Sequence, residues 1–379
     1  MKKLYKKLFQ MFILTFLLNG VFYANEKIDN QNIRNTEQKE NQEKKDKSGF
    51  LPFALPFYMP ETSGGIGFYL LYYKNHDLLD KSKKPDEYAL YGTVTLKKQY
   101  SVGLSAGVFL DDYRYKLSSK IEVSYFPDLF WGIGPNTKEE ADEEYANLML
   151  NFESSFLFQL KHQLFIGPII NIVTDDMKKK EANGLLEKNQ ILGNDGTTSS
   201  GLGINFYFDT RNSVFYPDKG FFIDLKGLYY LKSLGSEYNY FTLKIDFRYF
   251  LKLYQKHIIA FQSYSQLSSG EVPFQAMPKL GGEVILRGYY QGRFRDKNYT
   301  AAQLEYRFPI YYSFSGVLFG GIGQVASKLN DLFKNDIKAA YGLGLRYKVD
   351  KKENINIRLD LGLDLEKNLN FYFIIKEAF

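Results

Sequence analysis

The segment Asn354-Ile355-Asn356-Ile357-Arg358-Leu359-Asp360-Leu361-Gly362-Leu363-Asp364-Leu365-Glu366 decides the fold. Every odd position is Ile or Leu, and every even position is polar, charged or Gly. A strict period of two gives one aliphatic and one polar face, the signature of a β-strand. Phe241, Leu243, Ile245, Phe247, Tyr249 and Leu251 alternate in the same way with Thr242, Lys244, Asp246 and Arg248. So do Leu304, Tyr306 and Phe308 with Gln303, Glu305 and Arg307. Strands of soluble sandwiches usually stop after about five or six residues. A strand crossing a bilayer at a tilt needs about nine to eleven.

Working outward, strands are expected near 64–74, 87–98, 101–110, 113–126, 129–135, 145–160, 163–174, 198–210, 220–232, 237–252, 257–269, 299–310, 314–327, 337–349, 354–366 and 369–379. The expected fold is all-β: a transmembrane antiparallel β-barrel of sixteen strands. With the first strand rising from the periplasm, short connections fall on the periplasmic side. They include Lys98-Gln99-Tyr100, Phe126-Pro127-Asp128, Lys161-His162-Gln163 and 253–256, whereas 136–144, 175–197 and 270–298 face outward. Short periplasmic turns and long outer loops are the known asymmetry of such barrels. Closure is required because an unpaired edge in lipid leaves backbone groups unbonded.

The two ends agree with this reading. Lys2, Lys3, Lys6 and Lys7 precede an apolar run from Met11 to Leu18, too short to span a bilayer as a helix. Residues 1–24 therefore read as a signal peptide with Ala24 as cleavage residue. Residues 25–49 have almost no large apolar side chains and read as a disordered charged leader. The barrel is expected over 50–379. The chain stops on Phe379, after an aromatic strand-like segment, as outer-membrane barrel strands do, which makes Phe379 a C-terminal insertion signal.

Composition excludes several classes. There is no Cys, hence no acylation site, disulfide or thiolate metal site. Tyr and Phe number 31 and 33, while Trp131 is the single Trp. The net charge of +6 is spread along the chain, which argues against nucleic acid as a partner. His76, His162 and His257 sit in or beside connections, so no metal site or triad is expected. Gly64-Gly65-Ile66-Gly67 lacks a following helix and is no phosphate loop. No cofactor and no enzymatic activity are expected.

One segment carries a family resemblance. Leu280-Gly281-Gly282-Glu283-Val284-Ile285-Leu286-Arg287-Gly288-Tyr289-Tyr290-Gln291-Gly292-Arg293-Phe294-Arg295-Asp296 resembles the signature loop of the BamA/TamA superfamily, the bacterial surface antigen family of outer-membrane assembly and translocation barrels. The strand Ala301-Ala302-Gln303-Leu304-Glu305-Tyr306-Arg307-Phe308-Pro309 is similar to the one following that loop. Asp209-Thr210-Arg211 with Tyr216-Pro217-Asp218-Lys219-Gly220 resembles the family's periplasmic turn, where Asp209, Arg211, Pro217 and Gly220 carry the motif. Gly342-Leu343-Gly344-Leu345-Arg346 and Arg358-Leu359-Asp360-Leu361-Gly362 resemble two closing strands. The leader leaves no room for the periplasmic POTRA domains of the larger members, so the expectation is a short member lacking them.

The resemblance implies that the outer loop folds back into the lumen, with Leu286, Arg287, Gly288 and Tyr289 as its motif. Arg287 would pair with Glu305 or Asp360, which strand parity places on the inner wall. It implies a function assisting insertion or transport of protein or lipid across the outer membrane. The alternative, a passive channel or structural barrel, stays open at this stage. The partners implied are outer-membrane lipids and the barrel assembly machinery during the chain's own insertion. A homo-oligomer or a periplasmic partner stays open.

Overall fold

The computed structural model describes residues 48–76, 83–188, 190–334, 336–350 and 355–379. The expected signal peptide and residues 25–47 of the expected leader lie outside the described residues. The chain forms β1 (Ser48–Met59), β2 (Ser63–Lys74), β3 (Asp86–Thr95), β4 (Tyr100–Leu110), β5 (Tyr115–Phe130) and β6 (Glu143–Lys161). It continues with β7 (Leu164–Lys179), β8 (Gly196–Asp209), β9 (Gly220–Tyr230), β10 (Tyr240–Lys252) and β11 (Ile258–Gly270). A short antiparallel pair, β12 (Lys279–Leu280) and β13 (Phe294–Arg295), stands apart. Then follow β14 (Asn298–Tyr311), β15 (Phe314–Ala326), β16 (Lys338–Asp350), β17 (Ile355–Asp364) and β18 (Leu369–Ile375).

All strands except β12 and β13 close one antiparallel barrel of sixteen, each hydrogen-bonded to its chain neighbours, with β18 meeting β1. Burial is inverted relative to a soluble protein. Leu304, Leu318 and Leu343 are exposed, whereas Glu305, Arg307, Arg346 and Asp360 are buried. The aliphatic face of each alternating strand thus forms the outer band, and the polar face lines the interior. Cross-strand pairs tie the polar face together, such as Ser119–Ser154 at 2.8 Å and Thr93–Ser101 at 2.9 Å.

The expected number of strands is right through two compensating differences. The strand expected at 129–135 does not exist: β5 runs unbroken to Phe130, straight through Phe126-Pro127-Asp128, where a turn was expected. A first strand, β1, precedes the expected set. Its Pro52 and Pro56 disguise it, because proline within an alternating run argues against a ladder strand. Ser48 and Gly49, assigned to the leader, lie in β1.

The extra strand reverses the direction of β2 to β4. The connection Lys98-Gln99-Tyr100 therefore lies at the same end as the long loops, not with the short turns. Gln99 Nε2 donates to the Pro127 carbonyl at 2.8 Å, near the end of β5 that leads into the 131–142 loop, and to the Glu61 carbonyl at 2.9 Å in the turn between β1 and β2. The turns at 162–163 and 253–257 and the loops 131–142, 180–195 and 271–297 keep their expected ends.

The last strand is shorter than expected. β18 stops at Ile375, and Lys376 adopts a left-handed backbone at φ 71°. The chain then leaves the sheet, and Phe379 is buried beside Phe250 and Ala260 of β10 and β11 rather than pairing with β1.

An arginine cluster as candidate functional site

The β12–β13 pair frames residues 281–293 as a hairpin-like segment. Lys279 and Leu280 pair with Arg295 and Phe294. Its apolar side chains, Leu280, Ile285, Leu286, Tyr289 and Phe294, pack against Tyr299, Ala301, Val325 and Ala340 of the wall. This aromatic and aliphatic nucleus fixes the backbone from which Arg287 projects.

At Gly288 the segment lies directly against β17. Its φ is +134°, and a Cβ there would meet the Leu363 carbonyl carbon at 2.9 Å. A Cβ on Gly362 would in turn meet the Arg287 carbonyl oxygen at 2.4 Å. Two glycines therefore permit a backbone contact that any side chain would break. The contact is anchored by polar groups: Gly288 N–H donates to Tyr372 Oη at 3.2 Å, and Asn370 Nδ2 donates to the Gly288 carbonyl.

The Arg287 guanidinium is fully buried and bridges two strands. Nη1 donates to Asp360 Oδ2 of β17 at 2.7 Å and Nη2 to Glu305 Oε1 of β14 at 2.5 Å. Its plane lies over the Phe319 ring, 3.7 Å from the centroid. Both carboxylates are shared. Glu305 also receives Arg307 at 2.8 Å. Asp360 also receives Arg346 and Arg358, the latter at 3.1 Å. Arg346 continues to Glu377 at 2.8 Å, and Arg358 to Glu283. Four guanidinium groups and four carboxylates thus form one charge-balanced network joining β14, β16, β17, the 281–293 segment and the tail after β18. Charge-assisted, shared hydrogen bonds of this kind are directional and hold their partners in register.

Both acidic partners expected for Arg287 are therefore within hydrogen-bond distance of it. Arg307, Arg346, Arg358, Glu283 and Glu377 were missed. Parity held the signal for two of them, since Arg307 shares a strand face with Glu305, and Arg358 with Asp360, whereas only the register, with Gly344 opposite Asp360 and Arg346 opposite Arg358, brings Arg346 to Asp360.

The other end of the segment reaches the opposite wall. Lys279 Nζ lies 2.7 Å from Asp128 Oδ2, and Tyr290 Oη donates to Asp128 Oδ1 at 3.2 Å. Gln291 N–H donates to Glu61 Oε1 at 2.7 Å. Burial pushes the Glu61 carboxyl up to about 7, helped by the nearby Asp128 and Glu283 and opposed by the Gln291 N–H.

The second expected motif is a compact turn between β8 and β9. Asp209 is clasped by Arg211 in a fork, Nε to Oδ1 at 2.9 Å and Nη2 to Oδ2 at 3.0 Å. The Arg211 guanidinium sits 4.3 Å from the Phe222 ring centroid. Gly220 has φ +109°, and a Cβ there would meet the Thr210 carbonyl oxygen at 2.4 Å. Pro217 is buried in the same turn. The turn also reaches the cluster, because Arg307 lies over the Tyr216 ring, 5.6 Å from its centroid, and at 5.5 Å from that of Phe379.

A family model described as the Omp85 superfamily domain matches residues 84–377. Among solved structures, the chain is similar to BamA from Haemophilus ducreyi lacking POTRA domains 1–3. The identity is 15% and the TM-score 0.60, over 87% of this chain and 70% of that one. It is also similar to CdiB from Acinetobacter baumannii, with 12% identity and a TM-score of 0.52, over 87% of this chain and 60% of that one. At these identities the likeness is one of fold. The curated proteins contain no match. The family model covers most of the barrel, including the arginine segment and the β8–β9 turn: the chain is an outer-membrane β-barrel that belongs to the Omp85 superfamily.

Proposed function

We propose that this barrel assists insertion or transport of protein or lipid across the outer membrane, and that the seam between β1 and β18 is where it acts. On this reading the 281–293 segment is a plug in the lumen, pinned by Arg287 to Glu305 and Asp360. The Asp209–Arg211 turn stiffens the opposite end. The observation that carries the reading is the weakness of the seam. β1 and β18 share one registered pair, Tyr58↔Phe373. On its other side β18 pairs with β17 from Ile357↔Ile375 to Leu363↔Leu369, and β1 pairs with β2 along its whole length. A wall with one thin joint opens there first, since each ladder bond missing lowers the cost of parting the strands. Membership of the Omp85 superfamily supports an assembly or translocation role in general, and a passive channel is not favoured.

The chain contains no Cys, so a seam lock is simple to build. Tyr58→Cys with Phe373→Cys, oxidised, should abolish complementation of a depletion strain, and reduction should restore it. Full complementation by the oxidised protein would remove the seam from the function.

A further inference from the structure

The direction of each backbone group of β1 follows from one bond at its hairpin partner. The Gly64 carbonyl accepts from Leu96 N–H at 2.8 Å, so Gly64 faces β3. In an antiparallel sheet the N–H and C=O of one residue point to the same neighbour, and successive residues alternate. Ser63 and Gly65 therefore face β1, where they pair with Met59 and Phe57. The odd-numbered residues of β1 thus bond β2. The even-numbered ones, Phe50, Pro52, Ala54, Pro56 and Tyr58, turn their backbones to the seam. Proline has no N–H. The β1–β2 hairpin loses nothing by Pro52 and Pro56, whereas the seam edge loses two donors on alternate seam-facing positions.

The same seam is also short. With Tyr58 opposite Phe373, antiparallel register sets Pro56 opposite Ile375, the last residue of β18. No residue of β18 lies opposite 48–55, a length of roughly 25 Å at the usual rise of a strand. Behind this slot the tail turns inward: Asn356 Nδ2 donates to Glu377 Oε1 at 2.8 Å, and the Phe379 ring lies tilted against Phe250, 6.0 Å between centroids. Phe50 is exposed on the outer side. Beside the tail, Arg307 Nη1 and Arg346 Nη2 are buried without a hydrogen-bond partner.

We propose that the passenger of this seam is a phospholipid and not an incoming β-strand. The proposal rests on the seam reading above and names its substrate class. A strand added to β1 must bond its own carbonyls to β1 donors, and opposite Pro52 and Pro56 there are none. In a bilayer those carbonyls find no water to replace them. A phospholipid has no ladder to satisfy. Its acyl chains match the exposed apolar side chain of Phe50 at the open stretch of the seam.

The test uses the full-length protein in vesicles of phosphatidylethanolamine and phosphatidylglycerol. One assay follows reduction of a fluorescent phospholipid by an impermeant reductant. The other follows photo-crosslinking of a Phe-terminated alternating strand peptide to β1. Wild type should scramble the lipid, and the Tyr58→Cys/Phe373→Cys protein locked by a thioether crosslinker, which the reductant leaves intact, should lose that activity. Wild type should capture little peptide, and Pro52→Ala/Pro56→Ala should capture several-fold more while remaining heat-modifiable. Peptide capture by wild type equal to that of the proline-free variant overturns the exclusion of strands. Lipid reduction no faster than in empty vesicles overturns the lipid assignment. Equal scrambling by locked and unlocked protein instead removes the seam itself, which is a failure of the parent reading. If the proline-free variant loses heat-modifiability, Pro52→Ala and Pro56→Ala singly serve in the same assay, and no gain in capture by either overturns the proposal.

Discussion

Arg287 Nη1 lies 2.7 Å from Asp360 Oδ2, joining residues 73 apart in the chain with both side chains fully buried. The pair ties a segment between strands to the wall. Neither partner stands alone, because Asp360 is shared by three guanidinium groups and Glu305 by two.

Arg287→Ala should therefore release the segment. Breaking a buried ion pair by removing one partner typically costs about 3–5 kcal/mol. The three remaining arginines keep the carboxylates paired, so the lower part of that range is expected. Protease sensitivity over 280–298 should rise, along with conductance in planar bilayers. Arg287→Lys should rescue only partly, since an ammonium cannot reach two carboxylates with a planar fork. Wild-type protease sensitivity and conductance in Arg287→Ala would show that the segment is not pinned by this side chain.

Glu61 gives the contact between the 60–62 turn and the segment a pH dependence. Its carboxyl is pushed up to about 7 in the fold, from 4.5. A folded-state value above the unfolded one means that the folded protein holds the proton longer. The stabilisation is fully present below pH 4.5 and is lost as pH rises through about 7. On the order of 3 kcal/mol is at stake by linkage. Melting followed from pH 5 to pH 8 should show a falling midpoint in wild type and a flatter profile in Glu61→Gln. Identical profiles would remove Glu61 as the source.

Phe379 is buried against Phe250 and Ala260, and this separates two roles. Phe250→Ala and Phe379→Ala should each lower the stability of refolded protein by about 3 kcal/mol, the usual cost of deleting a buried ring. If Phe379 is also the insertion signal, only Phe379→Ala should reduce the heat-modifiable fraction in cells beyond that effect. Equal loss of insertion in both variants would leave packing as the whole explanation.

Topology offers a direct check. Tags at Asn183 and at Lys98 should both be accessible on intact cells, and a tag at Lys219 should not. Lys98 shielded while Asn183 is accessible would contradict the strand directions set by β1.

Much of the wall was legible because a membrane strand states its two faces locally. In 354–366 the odd and even positions alone predict that Leu359 and Leu361 face lipid and that Arg358 and Asp360 face the interior. The same parity placed Glu305 and Asp360 on one inner wall. It failed where the local signal was ambiguous. Pro52 and Pro56 concealed β1, because sequence cannot say on which side of a strand a missing N–H does no harm. Pro127 suggested a turn inside β5 for the same reason.

The alternation of aliphatic and polar residues determined by itself that the chain is a β-barrel with an inverted surface, since a period of two needs no partner to define a strand's faces. Three matters were decided only by tertiary structure. Register chose which strands are neighbours, and so brought Arg346 and Arg358 to the same carboxylate as Arg287. Closure left β1 and β18 joined at a single pair, a property of the whole ring that neither strand displays alone. The inward turn at Lys376 carried Glu377 and Phe379 away from the sheet, because the buried charges of Arg346 and Arg307 and the ring of Phe250 offered partners that lie far along the chain.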